Sequence, residues 1–176
     1  MGTDHHQFDR LVDWLDDWVA SHPGSTLVLQ HGASRPSRVG TNYELLPHPE
    51  LLAAMRQADV VVLQGGPGGV VDARRVGVRP IVIPRDPSLG EVVDGHQFAF
   101  ASRLASAELA EVATTQEQLQ QLLTATSVGD RDWRIDADTD VPQGVRTIME
   151  HHRQLPDRVT HRWRRLRQAW QPRRTS

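Results

Sequence analysis

The 176-residue chain contains no cysteine and no lysine. Without cysteine there is no disulfide, no thiolate metal site and no cysteine nucleophile. Without lysine there is no Walker-type phosphate loop, which needs that side chain on the β- and γ-phosphates, and no Schiff-base chemistry. All 20 basic residues are therefore arginine. No run of 18 apolar residues occurs, so no membrane-spanning helix is expected. The polar N-terminus, with Asp4, His5, His6 and Asp9, has no signal-peptide character. No His-x-x-x-His spacing occurs. His5-His6 and His151-His152 are adjacent pairs, which point to different faces of a helix, so no metal site is expected.

What remains is enough for one domain with a real core, since 38% of residues are hydrophobic. The net charge of −2 hides an asymmetry. Residues 151–176 hold eight arginines and one acid, Asp157, which leaves twelve arginines and twenty-one acids in residues 1–150. A core near −9 thus carries a tail near +7. We divide the chain into a domain over 1–128, an acidic loop or linker over 129–144 and a basic helical tail over 145–176. The tail, with Trp163 and Trp170, has three readings: a helix on an anionic membrane, an interface with a partner chain, or a solvated basic face. Nucleic-acid binding is disfavoured by the acidic core.

The stretch from Asp59 to Arg85 organises the domain. Val60 to Leu63 is an apolar run too short for an ordinary helix and suits a strand buried on both faces. Gly65-Gly66-Pro67-Gly68-Gly69 follows at once. Glycine lets backbone N–H groups approach a ligand closely. Pro67 suits the first position of a helix, Val70, Val71 and Ala73 continue it, and Gly77 ends it in the left-handed conformation. Ile81 to Ile83 is a second buried strand. The glycine turn then stands at a helix N-terminus, where partial positive charge favours an anion. A second polar loop, Arg85 to Gln97, leaves the next strand at its carboxyl end, the edge where open parallel sheets hold ligands.

Around this unit, Phe8, Leu11, Val12, Leu15 and Val19 repeat at helical spacing, and Pro23-Gly24 stops them. Thr26 to Gln30 and Asn42 to Leu46 are expected strands, and Pro47-His48-Pro49 a turn before a helix from Leu51. Glu91 to Leu104 reads as a helix, Ala110 to Ala113 as a last strand, and Thr115 to Ala125 as a helix.

The combination Gly65-Gly66-Pro67-Gly68-Gly69-Val70-Val71-Asp72, Gly77, Pro80, Pro84, Glu91 and His96-Gln97 resembles the nucleotide-sugar-binding half of family 28 glycosyltransferases. That family includes small donor-binding subunits of two-subunit enzymes that build lipid-linked oligosaccharides and exopolysaccharides. The resemblance runs from Gly2 to about Thr126. It implies an α/β fold, a Rossmann-like three-layer sandwich with a parallel sheet, equivalent to the donor half of a GT-B enzyme. It also implies transfer of a hexose from a UDP-sugar substrate, without a cofactor, to a polysaccharide or lipid-linked acceptor. The partners implied are a nucleotide sugar and an acceptor-binding, membrane-anchoring subunit, with a cytoplasmic or peripheral location at the inner membrane face. A non-catalytic nucleotide or nucleotide-sugar binding module is the alternative. A dinucleotide oxidoreductase is disfavoured, because its glycine fingerprint belongs on the domain's first strand.

By resemblance, Gly65, Gly66, Pro67, Gly68 and Gly69 hold the pyrophosphate, and Asp72 stands in for a glutamate that binds the ribose hydroxyls. A carboxylate suits a diol because it accepts two hydrogen bonds. The alternative for Asp72 is an acid in the helix first turn, favoured by the macrodipole. His96 and Gln97 are expected on the sugar, with Arg85 and Glu91 at the same rim. Thr3 matches a Gly-Thr phosphate contact at the end of a first strand, although almost no strand precedes it here. Gly32 matches a glycine after the next strand, and His48 lies where the family holds the base. Gln64 stands where relatives often carry histidine. No residue is identified as the catalytic base.

Overall fold

The computed structural model describes residues 5–93, 95–127, 132–136 and 146–147. Thr3, the basic tail beyond these residues and most of the acidic stretch 129–144 lie outside them. Helix α1 spans Asp9–Ser21 and buries Leu11, Val12 and Leu15 of the expected stripe, with Trp18 buried beside them and Val19 half-buried. Strand β1 (Val28–Gln30) pairs in parallel with β2 (Thr41–Tyr43), Val28 opposite Thr41. Then follow α2 (His48–Gln57), β3 (Val62–Gln64), α3 (Pro67–Arg75), β4 (Ile81–Ile83), α4 (His96–Ser106), β5 (Glu111–Val112) and α5 (Gln116–Ser127). Strands β3, β4 and β5 form a parallel ladder in that order, with Val62 opposite Ile81 and Ile81 opposite Glu111.

The layering follows from the two-residue period of β4. Ile81 and Ile83 are buried in one cluster with Phe8, Leu11, Val12 and Leu15 near α1, Leu29 of β1 and Leu119 and Leu123 of α5. Val82, between them, is buried in a second cluster with Val70 and Val71 of α3 and Phe100, Ala101 and Leu104 of α4. Helices thus cover both faces of a parallel sheet, a Rossmann-like α/β arrangement. Leu29 ties the β1–β2 pair to the first cluster.

Three expectations shift. The strand buried on both faces is β4, whereas β3 is half-buried because it stands at the edge of its ladder. The helix expected from Glu91 begins only at His96: Pro87–Leu89 forms a 3-10 turn that Gly90 ends in the left-handed region at φ 71°. The turn expected at Pro47-His48-Pro49 is instead the start of α2, since proline fits a first turn, where no intrahelical N–H is needed. Gly77 ends α3 at φ 78°, as expected.

Trp133, in the stretch read as a linker, is 1% exposed and belongs to the first cluster. Its carbonyl accepts from Arg79 N–H at 2.8 Å, Ile135 N–H donates to the Gly77 carbonyl at 3.1 Å, and its indole N–H donates to Thr126. The core therefore takes in a residue beyond 128.

Candidate functional site

Two helix N-termini meet at the carboxyl edge of β3 and β4. Gly66 is the N-cap of α3 and Gly95 that of α4, and neither cap bears a side chain that bonds the first turn. The N–H groups of Gly68 and Gly69 have no partner within the helix, because the first turn of any helix leaves them unpaired. Gln97, second residue of α4, packs directly on Gly65, which precedes the α3 cap. A Cβ at Gly65 would lie 2.9 Å from Gln97 Oε1 and 3.0 Å from its Cβ.

The glycines therefore divide by role. Gly65 admits Gln97, and Gly69 admits Leu63, whose Cδ1 would lie 3.3 Å from an added Cβ. At Gly68 an added Cβ meets nothing within 4 Å, and at Gly66 only Gln64 Nε2 at an ordinary 3.6 Å. None of the four has a positive φ, so close approach and open space, not left-handed backbone, account for them.

Asp72 is four residues after Gly68, so the two share one face of α3, one turn apart. It stands in the second turn, and the first turn holds no acid, so the macrodipole alternative does not account for it. Its Oδ2 lies 3.1 Å from Nε2 of His48, the first residue of α2. The two residues that the resemblance assigns to the ribose and the base are thus in contact with each other.

Arg85 and Glu91 are not rim residues. The Arg85 side chain is buried, at 1% exposure, and donates to Gln64 Oε1 (2.6 Å) and to the carbonyls of His6 (2.8 Å), Gln7 (3.3 Å) and Glu91 (2.9 Å), with its guanidinium 4.8 Å from the Phe8 ring centre. Gln64 is thereby engaged by Arg85. Glu91, also buried, accepts a forked pair from Arg10, Nε to Oε1 at 2.9 Å and Nη2 to Oε2 at 2.8 Å, and caps Asp86 N–H at 2.8 Å. Both residues brace the loop that carries the site. Gln97 Oε1 accepts from Arg85 N–H at 3.0 Å, which fixes the side chain from its carbonyl end. His96 is exposed in the first turn of α4. Along the same loop, the hydroxyl and N–H of Ser88 bond the Asp86 carboxylate and hold its pKa below the ordinary value.

Gly32 follows β1 at φ 60°, and its N–H donates to the Glu44 carbonyl at 3.1 Å, so turn geometry explains this glycine. Ser34 is buried, and its hydroxyl accepts from Phe8 N–H at 2.8 Å. That bond and those of Arg85 to His6 and Gln7 hold the entry to α1 between the β1 and β4 loops. Sequence reasoning missed this bracing role of Ser34, Arg10 and Arg85. Among the described residues no three His, Asp or Glu side chains converge as a metal centre needs, and no helix is long and apolar enough to cross a membrane.

No curated protein matches the chain. The glycosyltransferase family 28 C-terminal domain matches residues 20–131, which span the strands, the glycine turn and both helix N-termini of the site. The chain belongs to the glycosyltransferase family 28 C-terminal domain family, and the α/β architecture with parallel strands is that of the donor-binding domain of a GT-B glycosyltransferase.

Proposed function

We propose that the chain binds a UDP-sugar at the edge formed by Gly65–Gly69, Asp72, His48 and His96-Gln97, and donates its hexose to a polysaccharide or lipid-linked acceptor held by a partner chain. The observation that carries this is the open face of α3. Uncapped N–H groups at Gly68 and Gly69 suit a pyrophosphate, and Asp72 lies about one 5.4 Å turn further along, where a ribose diol would follow. The leaving diphosphate gains negative charge as the glycosidic bond breaks, and fixed N–H dipoles stabilise that charge. The α4 first turn, with His96 and the Gln97 amide, faces the same edge and supplies donors and acceptors for sugar hydroxyls.

The acceptor side belongs to a second protein, which also provides the membrane anchor at the cytoplasmic face. Leu89, Val93 and Phe98 are exposed beside the site, an apolar border suited to docking. Ser34, on the loop after β1, is buried and takes no part in such a surface. Titration of the full chain with uridine, guanosine and adenosine diphosphates and their sugars tests donor binding, with UDP-sugars expected to bind best. A transfer assay with labelled UDP-sugars and membrane extract then tests the partner: turnover is expected only when the co-expressed acceptor chain is present. Turnover by the chain alone contradicts the division of labour, and binding without transfer under every condition favours a non-catalytic binding module.

A further inference from the structure

Helices α2 and α3 lie side by side, and one polar pair joins them: His48 Nε2 and Asp72 Oδ2, 3.1 Å apart. The two side chains differ in setting, His48 being 59% exposed and Asp72 18%. Asp72 is the only acid on α3. His48 is held between Pro47 and Pro49, whose rings fix φ on either side of it. An exposed ring that reaches inward to one carboxylate buries little apolar surface and adds little to stability. What the contact does determine is where that carboxylate points.

We propose, granted the donor site above, that His48 is a positioning residue which fixes the Asp72 carboxylate and so makes nucleotide binding depend on the ribose 2′-hydroxyl. In the tautomer with the proton on Nε2, the imidazole donates to Oδ2 and stops the carboxylate rotating. Oδ1 and the second lone pair of Oδ2 are then set for two adjacent hydroxyls. A diphosphate anchored at Gly68 and Gly69 brings the ribose to this carboxylate, one turn along the same face. Without His48 the carboxylate samples other rotamers, and the 2′-hydroxyl no longer meets a fixed acceptor.

The test uses the full chain, calorimetry, and UDP, GDP and ADP, each beside its 2′-deoxy counterpart. In the natural chain the 2′-deoxy form of the best ligand is expected to bind about tenfold or more weaker, as loss of a hydrogen bond to a charged group predicts. His48→Ala is expected to weaken the ribonucleotide about tenfold more than the deoxynucleotide, so the discrimination collapses. His48→Gln, which keeps an N–H donor, is expected to restore much of it. Unfolding midpoints of all variants report folding, and the exposed position of His48 predicts little change. Discrimination that survives in His48→Ala, or equal weakening of both ligands, overturns the role of His48 while leaving the donor site standing. A natural chain that binds ribo- and deoxynucleotide alike overturns the diol role of Asp72, and one that binds no nucleoside diphosphate overturns the donor site itself.

Discussion

Gly68 and Gly65 carry the same side chain for opposite reasons. Gly65 is filled by Gln97, whereas the space over Gly68 is open. Gly65→Ala forces Gln97 aside, and overpacking of this kind is expected to cost about 1–3 kcal/mol. Gly68→Ala meets nothing, and alanine's better helix propensity predicts stability unchanged or raised by up to about 1 kcal/mol. Urea unfolding of the two variants separates them; equal losses would show that Gly68 is a packing glycine too. The presence of a glycine turn at a helix start was legible in the sequence, because Gly and Pro punctuate the end of an apolar strand. Which glycine serves packing was not, since Gln97 lies thirty-two positions from Gly65 and only the fold brings it there. The same holds for Arg85. An arginine after a strand reads as a rim residue, but its partners His6, Gln7, Gln64 and Glu91 come from three separate segments.

At the level of elements, two polar clusters hold α1 in place. At its start, Arg85 and the Arg10–Glu91 fork tie the segment before α1 to the loop after β4. Arg85→Ala leaves the buried Glu91 carbonyl and the part-buried His6 and Gln7 carbonyls without this partner, and with charge-assisted bonds worth about 1.5–3 kcal/mol each, a loss of about 3 kcal/mol is expected. Arg85→Lys is not expected to restore it, because a single ammonium lacks the planar fork. Faster amide exchange at residues 6–8 in either variant checks this, and unchanged exchange there contradicts it.

Further along α1, the buried Asp16 accepts from Ser37 Oγ at 2.5 Å and Arg35 Nη1 at 3.0 Å, and from Arg38 N–H at 3.3 Å. Burial raises its pKa, but the bonds from Ser37, Arg38 and Arg35 together outweigh it and leave the folded value below the ordinary 3.8. A carboxylate depressed on folding stabilises the fold fully above 3.8, and that contribution is lost as pH falls through the lowered folded value. Asp16→Asn is therefore expected to cost about 1–3 kcal/mol at neutral pH and progressively less below that range. Unfolding midpoints of both chains across pH decide it; a gap that does not narrow in acid would contradict the assignment. Periodicity made α1 and its buried face legible. It did not reveal that Asp16 is buried, because an acid on a helix flanked by Asp13 and Asp17 reads as part of a solvated face. The α4 start was misread for a related reason. Val92 and Val93 extend the apolar pattern backwards, but the left-handed Gly90 and the Glu91 cap on Asp86 hold that stretch in a loop.

For the whole molecule, the central strand–helix–strand unit and the family are legible because short apolar strands flank a glycine turn and a helix that Gly77 ends. The limit of the core is not. The stretch from Gly129 to Gly144 has five aspartates and no period, yet one large side chain, Trp133, closes the cluster over β4 and α5. Ending the chain after residue 128 is expected to cost about 3–5 kcal/mol relative to ending it after 136, the range for deleting a buried tryptophan. Trp133→Ala in the full chain should reproduce most of that loss by urea unfolding. Equal stability of the two truncated chains would contradict the packing role of Trp133.

The proposed site for a nucleoside diphosphate lies where the α3 and α4 N-termini meet. Amide chemical-shift mapping of the labelled full chain during titration with UDP tests it most directly. Saturable shifts are expected at Gly66, Gly68, Gly69, Asp72, His96 and Gln97, abolished in Gly68→Val while that variant's spectrum remains folded. Saturable shifts centred elsewhere, or shifts at these amides that persist in Gly68→Val, would contradict it.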